Sequence, residues 1–289
     1  MEKLAPAKVN LFLKIISKRK DGYHNLLSLF QTISLYDKIN ISITDEDKII
    51  VDSNIESIKG EKNLCYKVAE LFKKKYNFKK GIKIYIEKNI PLGSGLGGAS
   101  SDAAAVFESL VEMLNIKIVK KELIEFCKHL GKDIPYFFYK GLCLVESTGE
   151  KITKIKNLLW ENNPLWFVLV YPNKELSTKE VYQKYDEVIN KIEFFKNEYN
   201  KKKILEYVKN KDINSLLYND LEFPAIELMS EIRDIKITMI NLGAKNVSMS
   251  GSGSTVFAVF LDKSETEKFY KKIKDSFSNY KIFIAQSLC

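Results

Sequence analysis

The sequence predicts an α+β protein of two domains, and three observations carry that reading. Apolar residues recur at period two in some segments and at period 3.6 in others, without the regular strand-helix alternation of a doubly wound sheet. A length of 289 residues exceeds the usual single domain. Hydrophobic residues at 45% and charged residues at 29% are ordinary globular proportions, which excludes intrinsic disorder and collagen-like structure. No apolar stretch approaches the ~18 residues needed to span a bilayer, the run Leu11–Leu13 being cut off by Lys14. A soluble, cytoplasmic chain with no membrane partner is expected.

The elements follow in order. Over the first forty residues Val9, Leu11 and Leu13 alternate with Asn10, Phe12 and Lys14, a strand pattern, and Asp21-Gly22 supplies a turn. Leu64, Val68, Leu71 and Phe72 mark one face of a helix from about Asn63 to Tyr76, and Ile82, Ile84 and Ile86 then alternate as a strand. After Pro91 a glycine-rich stretch runs to Asp102. It leads into a helix whose apolar face is Ala99, Ala103, Val106, Leu110 and Met113. A second helix, Lys120 to Leu130, ends at Gly131, followed by the loop Gly131-Lys132-Asp133-Ile134-Pro135.

The polar linker Glu161-Asn162-Asn163-Pro164 introduces the apolar run Leu165 to Tyr171, so the domains are placed at 1–160 and 161–289. Helical patterns follow near 177–190, 203–218 and 224–242. A second glycine cluster precedes the strand Val256 to Leu261. Ser264 with Glu267 reads as a capping box for a helix through Phe277, and the last strand is Lys281 to Ala285.

The 46 Lys+Arg exceed the 37 Asp+Glu by +9, and Arg occurs only at positions 19 and 233. Base readout and bidentate phosphate contacts draw on Arg, so a nucleic-acid partner is not expected, and Lys73–Lys75 and Lys201–Lys203 read as solvated helix faces. The positive field favours a polyanionic small molecule instead. The cysteines at 65, 127, 143 and 289 form no CxxC pair, and Cys127 with His129 lacks a second ligand pair. Reduced, buried thiols are expected, with no metal-binding residues.

Four glycines (Gly93, Gly95, Gly97, Gly98) and two serines (Ser100, Ser101) lie within nine residues at a helix start. Glycine lets the backbone adopt positive φ and approach a ligand, so main-chain NH groups and the helix dipole converge on phosphate oxygens. Ser100 and Ser101 can add hydrogen bonds or help hold a phosphate-bound metal. No Gly-Lys-Ser/Thr closes the loop, so it is not the common P-loop, and no ribose carboxylate unit makes it a Rossmann fingerprint. The plain alternative is a close-packing connection with no ligand.

The stretch Pro91-x-Gly93-Ser94-Gly95-Leu96-Gly97-Gly98-Ala99-Ser100-Ser101 resembles the ATP-binding signature of the GHMP kinases. Two further family motifs resemble Pro6-Ala7-Lys8-Val9-Asn10-Leu11 and Met249-Ser250-Gly251-Ser252-Gly253-Ser254-Thr255-Val256-Phe257, in order over nearly the full chain. Within the family the resemblance is strongest to the branch acting on cytidine diphosphate methylerythritol in the non-mevalonate isoprenoid route. It is carried by Asp21-Gly22-Tyr23-His24-Asn25, Gly131 to Phe137, Ser177-Thr178-x-x-Val181-Tyr182 and Asn219-Asp220-Leu221-Glu222. Lys132 and Ala99 depart from it, standing where a small residue and a further glycine are usual.

The resemblance implies an N-terminal domain like domain 2 of ribosomal protein S5 and a ferredoxin-like C-terminal domain. It implies ATP and Mg²⁺, with phosphorylation of the acceptor's 2-hydroxyl. Asp133 is then the general base and Lys8 its cationic partner. Asn10, on the same strand face as Lys8, is expected at the substrate diol. Tyr23, His24 and Tyr182 are expected at the cytosine, Gly251, Ser252 and Gly253 near the substrate phosphates, and Asn63 and Lys88 beside the nucleotide. Other small-molecule kinases of the family are the nearest rivals, and an RNA-binding protein is the rival from another class.

Overall fold

The computed structural model describes residues 1–127, 129–156, 160, 162–189 and 200–289. Strands β1 (Glu2–Lys18) and β2 (His24–Thr44) are joined by a turn at Gly22, whose φ of +85° favours glycine. The chain divides into two compact units: residues 1–7, 35–90 and 97–139 form the first, and residues 8–34, 91–96 and 140–289 the second.

In the first unit β3 (Ile49–Ser53) lies parallel to β4 (Gly81–Glu87), and β4 lies antiparallel to the far half of β2. The order is β3-β4-β2-β1. The expected alternation holds: Ile82, Ile84 and Ile86 are fully buried opposite Ile43, Ile41 and Ile39. Helix α1 (Leu64–Tyr76) starts where Asn63 Oδ1 accepts the NH of Cys65 at 2.8 Å and ends at Asn77 in the left-handed region. Lys73–Lys75 fall in its last turn, where cations complement the helix dipole.

Helix α2 (Gly98–Met113) packs on α1, Phe107 meeting Phe72 edge-to-face at 5.7 Å. Ala103, Val106 and Leu110 are buried as expected, but Ala99 stays exposed in the first turn. Helix α3 (Lys120–Cys127) ends before the expected Leu130; residue 128 lies outside the described residues. Short α4 (Ile134–Phe137) follows Asp133 and is wholly buried.

In the second unit β5 (Leu142–Ser147) pairs with the near half of β2 and with β6 (Lys151–Lys154). A two-residue β8 (Tyr218–Asn219) runs parallel to β1, with Phe12 opposite Tyr218 and Leu13 opposite Asn219. The other sheet is antiparallel, built from β7 (Trp166–Tyr171), β9 (Val247–Met249), β10 (Val256–Phe260) and β11 (Lys281–Gln286) in the order β11-β7-β10-β9. With helices between its first and second and its third and fourth strands, this is the ferredoxin-like arrangement the resemblance implied.

Among the described residues this unit holds the helices α5 (Thr178–Val188), α6 (Lys201–Asn210), α7 (Ile213–Leu216), α8 (Glu222–Leu228), α9 (Glu231–Asn241) and α10 (Lys263–Lys274). Residue 190, at the end of the first expected helix, lies outside the described residues. The pattern over 203–218 is two helices and a strand. Lys211 turns left-handed at φ +53°, and Asp212 recaps by accepting the NH of Ser215. The pattern over 224–242 breaks at Met229, whose backbone is extended. Asp262, not Ser264, caps α10, accepting the NH of Glu265 at 2.8 Å, so that helix starts earlier than the capping box suggested.

Val168, Val170, Val256 and Ala258 of the sheet pack with Ile232, Ile235, Met239, Phe269 and Ile273, all essentially buried. Each large side chain so buried contributes about 1.5–3 kcal/mol. Among the described residues no helix is long and apolar enough to cross a membrane.

Candidate active site

In the second unit the part of β1 from residue 8 onward carries Lys8 and Asn10 on one face, as their spacing requires. Both are buried, Lys8 at 4% exposure. Lys8 Nζ donates to Asn10 Oδ1 at 2.6 Å and to Gly95 O at 2.9 Å, and stands 4.9 Å from the centre of the Phe30 ring. The Lys8 NH donates to Leu96 O at 2.9 Å, so the strand backbone holds the glycine stretch as well. Asn10 Nδ2 donates to Ser28 Oγ at 3.1 Å.

Two glycine loops meet there. Gly93 and Gly95 have φ of +56° and +78°. A Cβ on Gly95 would stand 2.0 Å from Ser250 O and 2.9 Å from Gly253 O, so only glycine fits. Gly95 O also accepts Ser250 Oγ at 3.1 Å, Ser94 O accepts the NH of Thr255 at 3.2 Å, and Ser94 Oγ donates to Pro91 O. Gly251, at φ +57°, lies against Lys8 and Asn10: a Cβ there would stand 3.2 Å from Asn10 Oδ1 and 3.3 Å from Lys8 Nζ. Ser252 Oγ is 2.8 Å from Thr178 Oγ1. Lys8, Asn10, Gly95 and Gly251, predicted from three separate stretches of the chain, are thus brought together.

Asn219 and Glu222 hold the second loop. Asn219 Nδ2 donates to Met249 O at 2.9 Å and Gly251 O at 2.8 Å, while its Oδ1 accepts the NH of Leu221 at 2.9 Å. Glu222 Oε2 accepts the NH of Met249 at 3.1 Å. Neighbouring Asp220 accepts the NH of Ile15 at 2.6 Å and the Tyr218 hydroxyl at 2.5 Å, with Lys14 at 3.5 Å. Burial pushes its carboxyl up, against those hydrogen bonds. The motif Asn219 to Glu222 was visible in the sequence, but nothing in its spacing told what it grips.

The remaining residues of this unit gather at His24, which is buried at 7% exposure. Tyr182 stacks on its ring at 5.1 Å and 29°, and Tyr185 meets it edge-on at 6.0 Å. Asp186 Oδ1 lies 2.8 Å from His24 Nε2. Tyr23 remains 53% exposed at the turn. Asp186 stands four residues after Tyr182 on α5, a helix spacing that puts both on one face and could have flagged it.

In the first unit, Gly97 at φ +73° caps the start of α2 and accepts the NH of Ser101 at 3.0 Å. Ser101 Oγ is buried and has no hydrogen-bond partner among the described residues. Lys88 is buried, its Nζ 2.7 Å from Asp102 Oδ2 and also bonded to Asp37 Oδ2. Asp37 Oδ1 accepts the NH groups of Asn89 and Ile90 at 2.6 and 2.8 Å. A Cβ on Gly98 would come 2.8 Å from Lys88 Nζ, so this glycine makes room for the ammonium. The Lys88 cluster therefore ties the residues before the glycine stretch to the helix after it.

Burial, with Asp37 alongside, pushes the Asp102 carboxyl up to about 8 against the pull of Lys88. Lys88 is itself raised, because Asp102 and Asp37 outweigh its burial. Asp37 shares a strand face with Leu35, Ile39 and Ile41. A carboxylate on the buried side of a period-two pattern was the signal for it. Asn63 is occupied as the α1 cap, its Nδ2 donating to Ile58 O at 2.6 Å. Asp133 lies at the first position before α4, partly exposed, with Pro135 in the first turn of that helix. Among the described residues no cluster of three or more His, Cys, Asp or Glu side chains could hold a metal ion.

The description of the GHMP kinases N terminal domain matches residues 63–141, and that of the GHMP kinases C terminal region matches residues 202–279. The chain belongs to the GHMP kinase family. Among the members it is similar to, the 4-diphosphocytidyl-2-C-methyl-D-erythritol kinase of Clostridium tetani (strain Massachusetts / E88) is 38% identical over 290 residues, covering 98% of this chain and 99% of that one. The enzyme of the same name from Clostridium botulinum (strain Loch Maree / Type A3) is 40% identical over 288 residues, with the same coverage. A crystal structure of 4-(cytidine 5'-diphospho)-2C-methyl-D-erythritol kinase superposes with a TM-score of 0.82 at 29% identity, over 99% of both chains. The mevalonate kinase of Methanococcus jannaschii, at 20% identity and a TM-score of 0.74, shares the fold. The α+β class and family expected from the sequence are borne out.

Proposed function

We propose that this chain phosphorylates the 2-hydroxyl of 4-diphosphocytidyl-2-C-methyl-D-erythritol with ATP, yielding the 2-phosphate and ADP in the non-mevalonate route to isoprenoid precursors. The observation that carries the reading is full-length similarity to kinases of that name, together with the joined glycine loops beside Lys8 and Asn10 in the second unit. The acceptor oxygen forms a bond to the γ-phosphorus, the bond from that phosphorus to the β,γ-bridging oxygen breaks, and ADP leaves. Asp133 takes the hydroxyl proton as general base, and the Lys8 cation stabilises the charge of the transferring group.

The loop Pro91 to Ser101 binds the ATP phosphates through backbone NH groups, with Asn63 and Lys88 on the nucleotide side. The bonds that Asn63 and Lys88 make within the first unit support a role in shaping that site. Asn10 and Gly251 to Gly253 serve the acceptor's diol and phosphates, and Tyr23, His24 and Tyr182 its cytosine. Mg²⁺ belongs to this proposal: the orphaned Ser101 hydroxyl beside the helix start fits a phosphate-bound cation, which when bound neutralises phosphate charge. The division at residues 160 and 161 belongs to it too, with one family match on each side, as do a cytoplasmic location and the absence of a nucleic-acid partner.

A coupled assay of ADP release across a panel of acceptors tests the reading. The cytidine diphosphate sugar alcohol should turn over efficiently, with mevalonate and homoserine inert. Turnover of either of those in its place refutes it.

A further inference from the structure

His24 opens β2, and its side chain is 5% exposed. Its Nε2 lies 2.8 Å from Asp186 Oδ1, and the other carboxylate oxygen takes Lys18 Nζ at 2.7 Å. Burial pushes the Asp186 carboxyl up, but the hydrogen bonds from Lys18 and His24, with the Lys18 charge, outweigh it and hold it below its ordinary value. At neutral pH Asp186 is therefore an ionised group that can only accept. The hydrogen in the contact must belong to Nε2.

In a neutral imidazole one ring nitrogen donates and the other accepts, so Nδ1 is left as the acceptor. Among the described residues no hydrogen bond engages it. The stacked Tyr182 and the edge-on Tyr185 confine the ring to this orientation. The result is an oriented acceptor on a largely buried ring, whose character is set by a carboxylate behind it.

We propose that Asp186 is a specificity-determining residue, which fixes the His24 hydrogen on Nε2 so that Nδ1 reads the 4-amino group of cytosine and rejects uracil. The inference rests on the cytosine placement proposed above. Cytosine in a nucleotide carries one hydrogen-bond donor on its edge, the 4-amino group, and uracil has a carbonyl oxygen at that place. An acceptor nitrogen facing that carbonyl gains no bond and stays unpaired when buried. Sites built to bond a substrate NH discriminate strongly on this basis. Asp186 acts through His24 and is a positioning residue, not a catalytic one.

The discriminating variant is Asp186→Asn. Lys18 can only donate, so it claims the amide oxygen, and the NH₂ group is left facing Nε2. That nitrogen must then accept, which moves the hydrogen to Nδ1. The chain has two histidines, so ¹⁵N NMR of the full-length His129→Gln protein reports His24 alone.

The expected result is a protonated Nε2 and bare Nδ1 in that protein, and the reverse after Asp186→Asn. The preference for the cytidine over the uridine diphosphate acceptor, as a ratio of kcat/KM, should fall tenfold or more, with KM for ATP unchanged. Asp186→Glu should restore part of the ratio. A protonated Nδ1 without the Asn substitution, retention of the Nε2 hydrogen in Asp186→Asn, or an unchanged ratio in the folded variant would each overturn the inference while leaving the kinase reading intact. If instead His24→Ala bound the cytidine acceptor normally, the cytosine placement itself would fall, and the inference with it.

Discussion

Replacing Asn219 with Ala removes the two hydrogen bonds that pin the second glycine loop, those to Met249 O at 2.9 Å and Gly251 O at 2.8 Å. Asn219 is buried, and so are Met249 and Gly251. Each bond is worth ~0.5–1.5 kcal/mol net, and each carbonyl left unpaired away from water costs ~1–3 kcal/mol more unless the loop shifts. The two bonds therefore imply a loss of roughly 1–3 kcal/mol if the loop shifts to re-pair its carbonyls and more if it does not, or several °C in Tm by the usual scaling of about 2–4 °C per kcal/mol. Relief by movement of the loop would displace Gly251 from Lys8 and Asn10, so kcat/KM for the acceptor should fall as well. Asn219→Asp tests the same bonds at constant size. It sets a carboxylate oxygen against two carbonyl oxygens and should be no better than Ala. Thermal melts, hydrogen exchange over residues 249–253 and ADP-release kinetics read the three effects. A variant with Tm within about 1 °C of the parent, unchanged exchange and unchanged kcat/KM would refute the view that Asn219 holds this loop.

Asp133→Asn keeps size while removing the proton acceptor, so turnover should fall ~10² to 10⁴ with nucleotide affinity retained; near-normal turnover would exclude Asp133 as the base. Gly95→Ala places a Cβ 2.0 Å from Ser250 O at a φ of +78°, so ATP affinity measured by calorimetry should drop at least tenfold, and an unaltered value would return the loop to a packing role. Tyr182→Ala removes an aromatic face and should cost the cytidine acceptor about 5- to 150-fold in affinity, with ATP binding kept; equal affinities would misplace the base. The Asp102 carboxyl, raised to about 8 in the fold, holds a proton that the unfolded chain releases above about 4. Its contribution to stability is thus complete below about pH 4 and lost as pH rises through about 8. The Tm advantage of the parent over Asp102→Asn should therefore shrink between pH 5 and pH 8, and a constant difference would contradict the raised value.

What the sequence by itself determined was whatever depends on local period and local chemistry. The isoleucines at 82, 84 and 86 face the core because a strand alternates. Asn63 caps α1 because its short amide reaches the first free NH groups. The glycines at 93, 95 and 97 take positive φ because little else can. Even so, 203–218 looked like one helix, since apolar spacing does not register that Tyr218 and Asn219 are drawn out to pair with Phe12 and Leu13.

Only the tertiary structure decided which distant groups share a hydrogen-bond network. Asp37 of β2, Lys88 just past β4 and Asp102 of α2 come from three separate stretches. Asn219 grips a loop thirty residues further along the chain, and Asp186 reaches back 162 residues to orient His24. Such partners are chosen by burial: a polar group taken from water must find a complement wherever the fold puts one, and no local pattern records where that is.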